Sequence, residues 1–164
     1  MMTAATPPWV FVQGSAWTTP DRDYEIPQLS ELAREGFVVA TVNHRNASRD
    51  ASAVFPAYLK DVKAAIRYLR ANARQWHIDP ERLGIWGTSS GGNTSLLVGL
   101  TADDPRYEDG SYATESDAVS FVVSCFPPTD MMEAIDAFGN EDDPFRLYYF
   151  GPFAAVSGRP MKPD

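Results

Sequence analysis

The stretch Gly84-Ile85-Trp86-Gly87-Thr88-Ser89-Ser90-Gly91-Gly92 limits what this chain can become more than any other. It contains Gly-x-Ser-x-Gly with Ser89 at the centre. A short apolar run, Leu83 to Trp86, leads in, and a helix-compatible run, Asn93 to Leu100, leads out. A strand that turns sharply into a helix lifts a serine hydroxyl clear of the sheet, and only small neighbours fit beside that turn. Gly87 and Gly91 are therefore the elbow glycines. The helix that follows directs its first N–H groups toward the site, which favours developing negative charge. The sequence predicts Ser89 as a nucleophile whose backbone angles lie outside the usual regions.

The flanking segments read as alternating strands and helices. Trp9 to Gln13 is a short apolar run expected to form a buried parallel strand. Ile26 to Glu35 carries Ile26, Leu29, Leu32 and Ala33 on one helical face, and Gly36 supplies a stop. Phe37 to Asn43 is the next strand. Pro56 opens a longer helix to about Ala73, with Tyr58, Val62, Ala65, Ile66 and Leu69 at three and four spacing. Its basic residues Lys60, Lys63, Arg67, Arg70 and Arg74 read as the solvated face. The acidic stretch Asp103 to Asp117 lacks EF-hand spacing and reads as a plain solvated loop, so no metal is expected. Val119 to Cys125 is a fourth strand, Met131 to Phe138 a short helix, and Gly139 to Asp164 cap-like or irregular material. This order predicts an α/β fold on a parallel sheet with right-handed crossovers. Residues 1–130 form its core, and residues 131–164 form a separate cap-like segment.

Composition narrows the partners. The chain has 164 residues and a formal net charge of -8, which argues against nucleic acid or an anionic membrane. Its one cysteine, Cys125, excludes an internal disulfide and fits a reducing, cytoplasmic setting. Met1 to Pro8 lacks the pattern of a secretory signal, and no run approaches a membrane span. No cofactor is expected.

The elbow, together with the preceding Ile78-Asp79-Pro80-Glu81-Arg82-Leu83, resembles the α/β-hydrolase esterases. The likeness is to the hormone-sensitive-lipase-like and feruloyl or acetyl esterase branch, from about Trp9 to about Asp130. The resemblance implies a three-layer α/β-hydrolase-like fold with a central elbow strand. It also implies hydrolysis of small acyl esters, with acetyl or feruloyl esters of sugars among them. Gln13-Gly14-Ser15-Ala16-Trp17 falls where those enzymes carry His-Gly-Gly-Gly-Trp, so the N–H groups of Ser15 and Ala16, with that of Ser90, are the implied oxyanion donors. Ser15 and Ala16 resist the positive φ that glycine accepts, and a differently shaped hole is expected.

The chemistry also needs a base, which in this fold follows the serine in the order Ser, Asp or Glu, His. No histidine lies after Ser89; the two in the chain are His44 and His77. His77 precedes the elbow strand and belongs at its far end. His44 follows its own strand, about 10 Å away across two strand spacings. A rebuilt triad of Ser89, His44 and Asp130 is therefore one alternative. The other is a chain resembling the middle of an esterase: a truncated gene, a fragment or a degenerate paralogue. On that reading the isolated chain is weak or inactive, or acts as a pseudo-hydrolase that binds a ligand. A prolyl-oligopeptidase-type peptidase shares the elbow and is a third reading. The strands Phe37 to Asn43 and Val119 to Cys125 are expected at the sheet edges, where self-association would begin.

Overall fold

The computed structural model describes residues 5–47 and 53–130. The expected helix Met131 to Phe138 and the segment after it lie outside the described residues.

Four strands form one sheet: β1 (Pro8–Val12), β2 (Val38–Thr41), β3 (Gly84–Thr88) and β4 (Phe121–Cys125). Their spatial order is β2-β1-β3-β4 and every neighbouring pair is parallel. Each is a short, mostly apolar run; β1 and β3 are mostly buried, as central parallel strands require, whereas β2 is half-buried throughout and β4 leaves Val123 exposed. β2 and β4 are the edges among the described residues, as expected. The chain moves to one side of β1 to form β2, then crosses to the other side for β3 and β4. The order therefore reverses at the β1/β3 pair, whose carboxyl ends border a crevice suited to a ligand.

Alternation sets the two faces of the sheet. Val10, Val12 and Ile85 point into a core shared with Tyr58, Leu59, Val62 and Ile66 of α2 (Ala57–Ala71) and Val98 of α4 (Ser90–Leu100). The opposite face is aromatic. Trp9 packs edge-on against Phe37 and Phe121, and Phe11 against Trp86. α1 (Ile26–Arg34) lies beside β2. It ends as Gly36 predicts: at φ 92°, the Gly36 N–H donates to the Ala33 carbonyl and the Phe37 N–H to that of Leu32. α2 stops two residues earlier than expected, and a separate turn, α3 (Ala73–Trp76), follows. The His77 carbonyl accepts from the Thr6 N–H, at the amino end of the sheet and away from Ser89.

The solvated basic stripe is a correction. Lys63 and Arg67 are 0% and 2% exposed. Lys63 Nζ donates to Asp117 Oδ1 at 2.7 Å and Arg67 Nη1 to Asp117 Oδ2 at 3.0 Å, while Arg67 Nη2 reaches Asp109 Oδ1 at 2.8 Å. Arg70 donates to the carbonyls of Pro80, Ser116 and Ala118. The acidic stretch is accordingly no plain solvated loop. It folds back over α2, and Asp103 and Asp117 brace it by exchanging N–H to carboxylate bonds. Helical spacing shows which residues share a face. It does not show that a carboxylate 54 positions away will cover that face.

Candidate active site

β3 runs into Ser89, which has φ 51° and ψ -121°, and α4 begins at the next residue. Positive φ costs a non-glycine residue on the order of 1–3 kcal/mol and persists only where the surroundings enforce it. Here they do. The Ser89 N–H donates to the Cys125 carbonyl at 3.0 Å, and the Ser89 carbonyl accepts the Asn93 N–H at 3.0 Å, closing the first helical turn. The elbow glycines are steric requirements. A Cβ at Gly91 would lie 2.0 Å from the Val12 carbonyl oxygen, and one at Gly87 2.2 Å from the Gly91 carbonyl oxygen. Close approach of α4 to β1 and β3 is what turns the chain and presents the Ser89 side chain. Among the described residues no protein group hydrogen-bonds the Ser89 hydroxyl.

The loop after β1 forms the facing wall. The Gly14 N–H donates to Thr88 Oγ1 at 3.1 Å and the Ser15 N–H to Ser90 Oγ at 2.9 Å. Thr18 closes a tight turn on the Ser15 carbonyl through both its N–H and its hydroxyl. Ala16 and Trp17 take φ of 49° and 56°. The conformation that alanine resists is therefore adopted at Ala16 without glycine. Its anchor is the next residue: Trp17 is fully buried, 6.2 Å from the Tyr58 ring, and its carbonyl accepts the Ala47 N–H at 2.9 Å. The Ser15 amide is engaged by the Ser90 hydroxyl. The amides of Ala16 and Ser90 have no protein acceptor among the described residues.

The structure brings Ser89, Ser90, Ser15 and Ala16 to one open cleft of about 540 Å³, and Gln13 and Tyr24 also line it. His44 stands behind Ser15. Its Nε2 is 3.5 Å from Ser15 Oγ, the long limit of a hydrogen bond, and its Nδ1 is 2.9 Å from the Arg45 carbonyl oxygen. A neutral imidazole protonated at Nδ1 satisfies both contacts. Burial holds its pKa below 6.5, against smaller upward pulls from the Arg45 carbonyl and the Asp61 charge. Neither ring nitrogen is bonded to Ser89. Asp61, the nearby carboxylate, is committed to Arg45 at 2.9 Å. Asp130 follows β4, as expected, and is exposed. The described geometry joins neither it nor His44 to Ser89.

The His44 environment gives a pH expectation. A folded pKa held below the unfolded one means that the unfolded chain takes up the proton first. The stability contributed by neutral His44 is present above about pH 6.5 and is lost as pH falls through the lower folded value. Melting temperature followed downward from pH 7.5 should fall, and His44→Gln should flatten that fall. An unchanged profile would contradict the burial of His44.

Sequence reasoning missed the part of the cleft beyond Ala16. Gln13 Oε1 accepts the Asp21 N–H at 2.6 Å, and Asn46 Nδ2 donates to Thr19 Oγ1 at 2.8 Å. These bonds stiffen a stretch that reads in sequence as featureless polar loop. No spacing or motif marks Tyr24.

A parallel sheet with a serine held at a strand-to-helix elbow, facing a backbone-lined loop at the carboxyl ends of the strands, defines an α/β-hydrolase. The chain belongs to the BD-FAE family, whose model matches residues 1–146. It is 37% identical over 109 residues to the esterase LipC of Mycobacterium tuberculosis, covering 66% of this chain and 26% of LipC. Among solved structures it is similar to a bifunctional GH43-CE protein of Bacteroides eggerthii, at 31% identity and a TM-score of 0.79, covering 97% of this chain and 21% of that one. It is also similar to a truncated form of a carbohydrate esterase from gut microbiota, at 30% identity and a TM-score of 0.73, covering 94% of this chain and 56% of that one. The chain spans about a quarter of the length of the curated relatives it matches.

Proposed function

We propose that this chain carries the nucleophile and oxyanion parts of a serine carboxylic-ester hydrolase acting on small acyl esters, and that acyl groups on sugars are its substrates. The observation that carries this reading is the strained Ser89 elbow, φ 51° and ψ -121°, opening into the cleft at the start of α4. Ser89 Oγ attacks the acyl carbonyl and gives its proton to water, since no imidazole is bonded to it among the described residues; the tetrahedral adduct then collapses to acyl-Ser89 as the ester C–O bond breaks and the alcohol leaves protonated by water. The free amides of Ser90 and Ala16 receive the oxyanion, and Ser15, tied to Ser90 Oγ, fixes the loop that holds Ala16. Two relatives with sugar-directed names, a GH43-CE protein and a carbohydrate esterase, support the sugar class.

A second reading has its own observation. His44 is bonded to Ser15 and Arg45, and neither of its ring nitrogens meets Ser89. A chain that binds an ester without turning it over fits that arrangement. In either case the isolated chain should hydrolyse p-nitrophenyl acetate far more slowly than a working esterase. Oxyanion hole and binding alone leave roughly 10³–10⁴ over water when triad members are absent. Stoichiometric labelling by a small aryl phosphonate, followed by mass spectrometry, should modify Ser89 and vanish in Ser89→Ala. Labelling elsewhere would overturn the nucleophile assignment. Rapid turnover abolished by His44→Ala would instead establish the rebuilt triad.

A further inference from the structure

One hydroxyl in the cleft is backed by an imidazole, and it is not that of Ser89. Ser15 Oγ lies 3.5 Å from His44 Nε2. The partner of Nδ1 fixes the direction of that contact. The Arg45 carbonyl oxygen can only accept, so Nδ1 carries the proton and Nε2 turns its lone pair to Ser15. The Ser15 proton then has two acceptors, Nε2 and the Thr18 carbonyl at 3.4 Å. Among the described residues no protein group donates to Ser15 Oγ, so its lone pairs face the cleft unused. The backbone sets where that hydroxyl stands. Ser90 Oγ holds the Ser15 amide at 2.9 Å, and a Cβ placed on Gly14 would lie 2.9 Å from Ser89 Cβ. Ser15 therefore lines the cleft one residue beyond a direct contact with Ser89. The ring behind it faces Tyr58 and Asp61 of α2, and Asp61 is paired with Arg45. Burial pushes the Tyr58 phenol up and keeps it neutral. Burial also outweighs the pull of Asp61 on His44, which leaves the imidazole an unprotonated base at neutral pH.

We propose that Ser15 and His44 form a proton relay for the water that hydrolyses acyl-Ser89. The inference rests on the ester-hydrolase reading of Ser89 and assigns the second step of that reaction. A water donating to Ser15 Oγ attacks the acyl carbonyl. Its proton passes to Ser15 Oγ as the Ser15 proton passes to His44 Nε2. The tetrahedral adduct collapses as the bond between the acyl carbon and Ser89 Oγ breaks. The acid leaves, Ser89 Oγ takes a proton from water, and His44 returns its own to the cleft through Ser15. The relay serves this step and not the first because the attacking groups differ. Water is free to settle against Ser15, whereas Ser89 Oγ is fixed at the start of α4 and bonded to neither residue. The 3.5 Å separation suits a resting site, since catalytic hydrogen bonds often tighten only once the reacting group is bound.

The test uses the whole chain and p-nitrophenyl acetate in stopped flow, with mass spectrometry to locate the acetyl group. A burst of p-nitrophenolate should report acetyl-Ser89, and the slower phase its hydrolysis. Ser15→Ala and His44→Gln should each slow that second phase about 10²-fold, the low end of general acid–base catalysis, while the burst persists. The double variant should be no slower than either single one, because the two residues act as a unit. Ser15→Thr, which keeps a hydroxyl, should retain most of the rate. In the unaltered chain the second phase should slow as pH falls through a midpoint below 6.5, since a protonated imidazole accepts no proton. Ser15→Ala and His44→Gln should both lack that midpoint. A loss shared equally by burst and second phase would mean that the pair only shapes the cleft, and would overturn the relay. A second phase indifferent to Ser15→Ala would overturn it too, even with Ser89 fully acetylated. No burst, with Ser89 unmodified, would remove the ester-hydrolase reading and the relay with it.

Discussion

Asp117→Ala is expected to destabilise the fold by about 3–5 kcal/mol, the range found when one partner of a buried ion pair is removed. Asp117 is 3% exposed and holds two cations that are equally shielded from water, Lys63 and Arg67. Without it, Lys63 keeps only the Thr101 carbonyl, and Arg67 keeps Asp109 and the Ser111 carbonyl. A buried ammonium facing one neutral acceptor is poorly compensated, and that residue of charge is what the fold must then bear. The loss extends to the loop, because Asp117 also accepts the Asp103 N–H. Lys63→Met should cost less. It removes a charge and leaves Asp117 with Arg67 and the Asp103 amide, at a site where an apolar side chain of similar length fits. Urea unfolding should show the larger fall in midpoint for Asp117→Ala, with the slope unchanged for both variants. Arg106→Ala, which breaks the pair with Asp104 at its solvent-exposed partner and keeps the Asp104 cap on the residue 106 N–H, should leave the midpoint where it is, since water replaces what is lost. Equal midpoints for Asp117→Ala and Lys63→Met would show that the carboxylate is not the hub.

Gly91→Ala is expected to strike stability and chemistry together. The new methyl would meet the Val12 carbonyl oxygen at 2.0 Å and the Gln13 carbonyl oxygen at 2.8 Å. Both are backbone, so neither can swing aside as the tip of a side chain can. α4 and the end of β1 must move apart. Overpacking of this kind costs about 1–3 kcal/mol. The larger consequence falls on the site. The displaced atoms lead directly into Gly14, Ser15 and Ala16, whereas Ser89 and Ser90 ride on α4. A shift near 1 Å between a nucleophile and the groups that serve it costs about 10²-fold. Phosphonate labelling of Ser89 should slow to that extent in protein that is still folded. Val98→Ala is the control, being buried on the same helix but remote from the elbow. It should lower stability without slowing the labelling. If both variants label at the same rate, the elbow glycine is only a packing residue and does not position the site.

Some of this was legible in the residues. The elbow was, because the local rule is steric and self-contained: a strand, small residues around a serine, then a helix. The four strands and the long helix were legible for a similar reason. Apolar runs and three-four spacing report which face is buried, whatever buries it. The edge positions of β2 and β4 followed once the parallel order was accepted.

Other features depended on where distant segments meet. Lys63 and Arg67 read as solvated because nothing local distinguishes a lysine facing water from one facing Asp117 across 54 positions. The positive φ of Ala16 was not foreseeable from alanine itself; it is enforced by Trp17 lodged against Tyr58 in the core. The capture of the Ser15 amide by Ser90 Oγ joins positions 75 apart. The same holds for His44, whose ring nitrogens meet Ser15 and Arg45 where the sequence allowed Ser89. The sequence alone determined a serine at a strand-to-helix elbow on a parallel α/β sheet, since turn sterics and hydrophobic periodicity act over a few residues. Tertiary structure alone decided which amides beside Ser89 lack a protein acceptor among the described residues, where the imidazole points and which charges are buried. Each of those depends on hydrogen-bond partners supplied from another part of the chain.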